Sequence, residues 1–310
     1  MAKWPGFGPA RQDREATASP RGPAARAERP REAGRLRRWM GGGDVGQQQI
    51  ALVSTDFDGT IFAEFERPPL APELLDWVGR FQRQGGFWVI NTGRDLTSLL
   101  ESLARAEVNV WPDFLVLVER EIYVRQHSEY VAWEEWNRAC QQAHAELFQR
   151  LRPRVPELAA WVEERFRATV YADAWSPFCV VAAHPAEADA IEQRARQLCR
   201  EIPDLDYVRN DVYARFCHAA FNKGTALTAL ARRLGFGPER VFAAGDHFND
   251  LPMLRPEVAR FLVAPANAVA EVQEAVRRAG GLVSRLDHGE GVAEALRRWE
   301  AAGWDPTLEE

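Results

Sequence analysis

The ten residues at 51–60, ALVSTDFDGT, constrain the fold more than any other stretch of the chain. An apolar run rich in branched side chains reads as a strand buried on both faces, the kind found in parallel sheets. It stops at Asp56 and Asp58, followed by Gly59. Residues i and i+2 of an extended segment point to the same side, so the two carboxylates share one face where the strand ends. They repel each other unless a cation or a shared proton separates them. Asp and Gly at a strand end also fit an ordinary turn, so the rest of the chain decides between turn and site.

Downstream, strands and helices alternate. Residues 70–84 carry apolar groups at helical spacing with Pro72 near the start, which predicts a helix. Residues 87–90 read as a second buried strand ending in Asn91-Thr92-Gly93-Arg94, 95–106 as a helix, and 114–118 as a third strand. This beat predicts an α/β fold, a parallel sheet with helices on both faces, in which ligands bind beyond the carboxyl ends of the strands. From about Glu119 the rhythm changes. Residues 121–124 alternate like a half-buried strand, 133–151 and 157–166 are helical, 178–183 is strand-like, 186–200 is helical, and 207–216 reads as a hairpin around Asn210-Asp211. A second α+β domain inserted into the first, with edges near 119 and 216, is the expectation. The βα pattern resumes with a helix opened by Lys223-Gly224 and closed at Gly235. A strand at 241–244 follows, ending in Gly245-Asp246-His247-Phe248-Asn249-Asp250, then strands at 261–263 and 282–284 and helices at 267–279 and 291–301. The expected domains are therefore 47–118 with 217–303 as one core, 119–216 as the insert, and 1–46 as a tail.

The chain has 310 residues, 46% of them hydrophobic, enough for a large core. No run reaches the roughly 18 apolar residues of a membrane span, and the N-terminus lacks the apolar stretch of a secretory signal. A cytoplasmic protein without a membrane partner is expected. Cys140, Cys179, Cys199 and Cys217 are widely spaced and suggest neither a zinc site nor a disulfide framework, only buried thiols. The whole chain carries a formal charge of −6, yet residues 1–43 hold ten Lys/Arg against four acids. A basic arm would suit nucleic acid or anionic lipid. This stretch is rich in Pro, Gly, Ala and Arg and poor in large apolar residues, so a solvated tail is expected and nucleic acid is not an expected partner. A translation start at Met40 would also account for it. Oligomeric state is not legible.

Only Lys3 and Lys223 are lysines among 39 basic residues. A chain that uses Arg for nearly all its positive charge has kept one Lys in its body, directly before a glycine at a helix start. That placement points to a need for a compact ammonium rather than a guanidinium fork. Asp56, Asp58, Asp246 and Asp250 make a four-carboxylate site that a hard, oxygen-seeking ion such as Mg²⁺ would neutralise. Thr92 and the backbone at Gly93 offer donors suited to phosphate oxygens. A nucleophile, a metal, a proton donor and donors for equatorial oxygens are the requirements of phosphoryl transfer, for which a carboxylate nucleophile is one solution.

Asp56-Phe57-Asp58-Gly59-Thr60, Thr92-Gly93-Arg94, Lys223-Gly224 and Gly245-Asp246-x-x-Asn249-Asp250 together resemble the four motifs of the haloacid dehalogenase superfamily of phosphatases. The insert between the second and third motifs resembles the subgroup with a large α/β cap, the Cof-like enzymes. Pro112-Asp113-Phe114 leading to Glu121-Ile122-Tyr123, with Gly289-Glu290-Gly291-Val292, leans toward its sucrose-phosphatase-like branch. The resemblance implies a Rossmann-like parallel-sheet core with an inserted cap that selects the substrate. It implies Asp56 as nucleophile and Mg²⁺ ligand, Asp58 as general acid/base coordinating through its backbone carbonyl, and Lys223 as the neutralising cation. It further implies Thr92, Gly93 and Asn249 at the phosphate, Asp246 as a metal ligand, and Asp250 supporting metal-bound water or Lys223. Arg94 is a candidate substrate contact. Asp58 favours a phosphatase, since dehalogenases of the superfamily lack the second aspartate and the metal. The implied activity is Mg²⁺-dependent hydrolysis of a small-molecule phosphomonoester, a sugar phosphate foremost. A phosphosugar mutase and a non-catalytic regulator on the same fold are the alternatives. His247, inside the fourth motif, reads as a hydrogen-bonding loop residue. The aromatic group Tyr130, Trp133, Trp136 and Phe148 reads as core packing, with stacking on a sugar as its functional alternative.

Overall fold

The computed structural model describes residues 50–305; the basic tail up to residue 46, Met40 and the glycines at 41–43 lie outside the described residues. Strands β1 (Leu52–Thr55), β2 (Phe87–Asn91), β3 (Phe114–Leu117), β10 (Val241–Ala244), β11 (Phe261–Ala264) and β12 (Leu282–Val283) run parallel. They form an eight-stranded sheet in the order β12-β11-β10-β1-β2-β3-β4-β5, whose last two members, β4 (Glu121–Gln126) and β5 (Glu129–Ala132), are antiparallel. β1 lies at the centre, between β10 and β2.

Burial on both faces explains why these strands read as unbroken apolar runs. Val53, Trp88, Ile90, Phe242 and Val263 pack under helices α1 (Pro72–Arg83), α2 (Leu96–Arg105) and α8 (His288–Ala301), through Leu74, Trp77, Leu99, Leu103, Leu296 and Trp299. Leu52, Phe87, Val89, Val241 and Leu262 pack on the other face against α6 (Lys223–Arg233) and α7 (Ala270–Arg278). Pro72 opens α1, and the Asp95 side chain caps α2 by accepting from Ser98 N at 2.9 Å.

A second sheet has the order β6-β7-β9-β8, all antiparallel: β6 (Ala168–Tyr171), β7 (Cys179–Ala182), β8 (Leu205–Asn210) and β9 (Tyr213–His218). One face packs under α3 (Glu134–Leu151), α4 (Val155–Arg165) and α5 (Pro185–Glu201), through Val180, Tyr207, Phe216, Leu147, Val162 and Ile191.

The expected domain edges near 119 and 216 differ from this arrangement. β4 and β5 extend the first sheet because β3 offers an unpaired edge, and Leu115 and Val116 pair with Tyr123 and Ile122. At the other end β9 continues to His218. β6 was not anticipated either, since its half-exposed alternation, Ala-Thr-Val-Tyr, gives a weak periodic signal. The four cysteines are free thiols, with Cys199 half-buried and the others buried. Among the described residues no helix is long and apolar enough to cross a membrane.

His144, buried on α3, donates from Nδ1 to the Cys140 carbonyl at 2.8 Å and accepts at Nε2 from His218 N at 3.0 Å. Burial, aided by Arg120, lowers its pKa to about 3. The unfolded chain therefore takes up a proton near pH 6.5 that the folded chain refuses. This imidazole's contribution to stability is present above pH 6.5 and is lost as pH falls toward 3. Between pH 7 and pH 5 its share of the loss is about 2 kcal/mol. Urea unfolding at the two pH values should show a smaller fall for His144→Gln than for the wild type.

Candidate active site

The Asp56, Thr92 and Gly245 motifs each follow the carboxyl end of a parallel strand, β1, β2 and β10, and the loops after β1 and β10 meet on the ammonium of Lys223, at the start of α6. Lys223 is fully buried, and its Nζ donates to Asp56 Oδ1 at 2.6 Å and to Asp250 Oδ1 at 2.7 Å. Its position is set by the helix it begins. Asn222 caps α6 by accepting from Gly224 N and Thr225 N, each at 3.0 Å, and Asn91 Nδ2 donates to the Lys223 carbonyl at 3.0 Å. Gly224 is required because a Cβ there would collide with the Pro252 carbonyl. The lysine is therefore held by three strand ends and is not a mobile surface charge.

Asp56 follows β1 and its N–H donates to the Ala244 carbonyl at 2.9 Å, which ties the first and fourth motifs together. Asp56, Asp246 and Asp250 each place a carboxylate oxygen within 4.8 Å of the others. Asp250 has both oxygens engaged: Oδ1 takes Lys223, and Oδ2 accepts from the backbone N–H of Asp246 at 2.9 Å and of His247 at 3.0 Å. Thr60, quoted within the first motif and given no role in the sequence reading, donates to Asp246 Oδ1 at 2.6 Å. Gly59 has φ +77°, and a Cβ there would strike Asp246 Oδ2, so only glycine lets the first loop lie this close to that aspartate.

Three carboxylates around one ammonium leave surplus negative charge. Burial and the Asp250 carboxylate raise the pKa of Asp56 well above the ordinary range, and they raise Asp246 to about 6. Burial alone would lower Lys223, but Asp250 and Asp56 override it and raise the ammonium's pKa. A compact set of hard oxygen donors with unneutralised charge fits a divalent cation such as Mg²⁺.

The Asp58 carboxylate stands outside this trio. Arg94 grips it with two parallel bonds, Nε to Oδ2 at 2.7 Å and Nη2 to Oδ1 at 2.5 Å. Arg94 Nη1 donates to Ser102 Oγ at 2.6 Å, and the guanidinium lies over the Phe57 and Phe62 rings. Arg94, expected as a substrate contact, stands just before the Asp95 cap of α2, and its guanidinium bridges Asp58 of the first motif and Ser102 of α2. Thr92 is buried at the end of β2, its Oγ1 accepting from Arg94 N at 3.2 Å, while Gly93 is exposed. Asn249 donates from Nδ2 to Glu119 Oε1 at 3.0 Å, and His247 accepts from Asp211 N at 3.2 Å on the β8–β9 turn.

Glu119 was missed in the sequence. It is 6% exposed, and its Oε2 lies 3.6 Å from Arg215 Nη2 on β9. Val118 and Glu119 have φ +45° and +67°, values that branched and long side chains rarely adopt. No residue-type pattern announces such strain; it is visible only in the backbone. The aromatic group of the long helical stretch is spent on packing. Trp133 and Trp136 lie against the first sheet, Phe148 lies in the core of the second, and Tyr130 Oη donates to the Pro112 carbonyl at 2.8 Å.

Residues 158–296 match the model of the haloacid dehalogenase-like hydrolase family, a span that holds Lys223 and the Asp246–Asp250 loop but not Asp56 or Thr92. The chain is 25% identical over 261 residues to a 5-amino-6-(5-phospho-D-ribitylamino)uracil phosphatase of Bacillus subtilis, covering 81% of this chain and 96% of that one. It is 36% identical over 117 residues to a phosphoglycolate phosphatase of Methanothermobacter thermautotrophicus, covering 38% of this chain and 47% of that one. In fold it is similar to the sucrose-phosphatase of Synechocystis solved with sucrose and phosphate. The TM-score is 0.65 at 19% identity, over 82% of this chain and 98% of that one.

Lys223→Met leaves buried carboxylates with no counter-charge. At pH 7.5 without added metal the variant should be less stable than the wild type by about 3–5 kcal/mol. Part of that loss should return as pH falls to 5.5, because carboxylates with raised pKa values take up protons in the folded state first. Denaturant melts at the two pH values test both the loss and its sign.

Proposed function

We propose that the chain is a haloacid dehalogenase-like hydrolase and, within that family, a Mg²⁺-dependent phosphatase of small phosphorylated sugars or polyols. The observation that carries the reading is the buried Lys223 ammonium shared by Asp56 and Asp250 beside Asp246. Asp56 is the nucleophile: its Oδ2, which accepts only a long 3.4 Å bond from Thr60 Oγ1, attacks phosphorus, the ester oxygen leaves, and an aspartyl-phosphate forms. Lys223 fixes the other oxygen of Asp56 and offsets charge on the phosphoryl group. Thr92 Oγ1 and the open backbone at Gly93 receive the equatorial oxygens, and Asn249 stands beside them. Asp58, aimed by Arg94, passes a proton to the leaving alcohol and then takes one from the water that hydrolyses the acyl phosphate. Asp56, Asp246 and Asp250 would hold the Mg²⁺ ion, joined by the Asp58 backbone carbonyl, and the ion would supply charge neutralisation for the phosphoryl oxygens.

Residues 133–218 act as a cap over the first sheet, which shuts water from the site and selects the alcohol part of the substrate. The sugar or polyol assignment draws on the ribityl and sucrose groups in the names of the relative and the fold neighbour. The open face of the second sheet, with Thr169, Tyr171 and Tyr213, has the polar and aromatic character such a group needs.

Phosphate release from a panel of sugar and polyol phosphates should require Mg²⁺ and stop with EDTA. Asp56→Asn should lower kcat by a factor of about 10³ or more, as loss of a nucleophile does; wild-type turnover in this variant would remove Asp56 from its role. Arg94→Gln should lower kcat much more than it raises KM, since the side chain holds the acid/base and not the phosphate. A change confined to KM would return Arg94 to the substrate.

A further inference from the structure

Two guanidiniums are buried between the sheets with donors unmet. Arg215 on β9 is 2% exposed and Arg120, directly after Glu119, is 4% exposed. Nε and Nη2 of Arg215 and Nη1 of Arg120 have no hydrogen-bond partner. Arg120 Nη2 reaches only the Trp175 carbonyl, at 2.7 Å. The carboxylates nearby are already engaged. Glu119 gives Oε1 to Asn249 and stands 3.6 Å from Arg215, too far for a hydrogen bond. Asp173 accepts from the N–H groups of Trp175 and Ser176, and Glu121 accepts from Tyr123 Oη. Buried polar groups ordinarily find partners, and a buried charge with unmet donors is costly.

The side that Arg215 occupies gives this shortage a direction. Val180, Ala182, Ala214 and Phe216 point into the helix-covered core. By strand alternation Cys179, Val181, Tyr213 and Arg215 point the other way, toward the first sheet. Glu119, the ion-pair partner, has its Oε1 3.4 Å from where a Cβ of Gly93 would lie. The Arg215 guanidinium is therefore one carboxylate away from the phosphate-binding turn, a reach of a few carbons.

We propose that the substrate carries a second anionic group beyond the scissile phosphate, a carboxylate or a further phosphate, and that Arg215, assisted by Arg120, receives it. The assignment rests on the phosphatase reading above and narrows its substrate class to acidic or doubly phosphorylated sugars and polyols. Both guanidiniums are shut off from solvent, so the anion reaches them only while the two sheets stand apart. Their unmet donors oppose closure until it arrives, which couples recognition to assembly of the site. A purely structural ion pair between Arg215 and Glu119 would fasten the sheets whatever the substrate.

Matched esters separate the two. The three-carbon pair 3-phosphoglycerate and glycerol 3-phosphate, and the six-carbon pair 6-phosphogluconate and glucitol 6-phosphate, differ only by carboxylate against hydroxymethyl. Fructose 1,6-bisphosphate against fructose 6-phosphate tests a second phosphate. In the wild type, kcat/KM for the charged member of at least one pair should exceed that of its neutral partner by about tenfold or more. Arg215→Met should bring that ratio to within about twofold, and Arg120→Met should reduce it; the ratio is independent of the fraction of folded enzyme. Equal or lower kcat/KM for the charged member in every pair, or an unchanged ratio in Arg215→Met, would overturn the proposal. Calorimetric binding of the same pairs to Asp56→Asn gives the same ratio without turnover. If no ester is hydrolysed but binding shows an Arg215-dependent preference for the charged member, the phosphatase reading falls and the anion site stands. If binding shows no such preference, the anion site falls.

Discussion

The ammonium of Lys223 between Asp56 and Asp250 is the contact on which the rest of the site depends. Removing four ionised groups from water is expensive, and the cost is offset only when geometry is close and the remaining lone pairs are used. The fold meets both conditions with backbone. β1 delivers Asp56 to the Ala244 carbonyl, the Asn222 cap delivers Lys223, and two loop N–H groups saturate Asp250. Asp246 lies where Gly59 and Thr60 press against it. Burial, with the Asp250 carboxylate, then raises the pKa of Asp56 and Asp246, and the surplus of carboxylate over ammonium suits a cation.

A second layer of contacts links this centre to the inserted sheet. Glu119 touches Asn249 of the fourth motif on one side and faces Arg215 on the other, and both Val118 and Glu119 hold a positive φ there. Backbone strain of this kind is held only where surrounding structure overrides it, and it gathers at working sites. The β8–β9 turn meets His247 one residue after the Asp246 carboxylate. Two contacts from the second sheet therefore fall on Glu119 and on His247, one touching and the other belonging to the fourth motif.

The sheet of parallel strands was legible because its strands are buried on both faces and read as unbroken apolar runs, and the helices between them keep a 3.6-residue period. The antiparallel extension β4–β5 was not, because a half-exposed hairpin has the same alternation whether it joins one sheet or begins another. The cluster of Asp56, Lys223, Asp246 and Asp250 was legible because these charged residues follow apolar runs or open a helix, where a charged group has no packing reason to be. The contact of Arg94 with Asp58 was not legible, since spacing cannot tell which carboxylate a guanidinium before a helix start will meet.

By itself the sequence determined the α/β class, the order of the motifs and the residue types of the charged centre, because these follow from local periodicity and from where polar residues interrupt it. The tertiary structure alone decided which sheet the 121–132 hairpin completes, that Arg94 belongs to Asp58, and that Glu119 and Arg215 meet across the two sheets. Glu119 and Arg215 lie 96 residues apart in the chain. A contact of that range is set by how two sheets pack, and neither local propensity nor spacing encodes the relative placement of their faces.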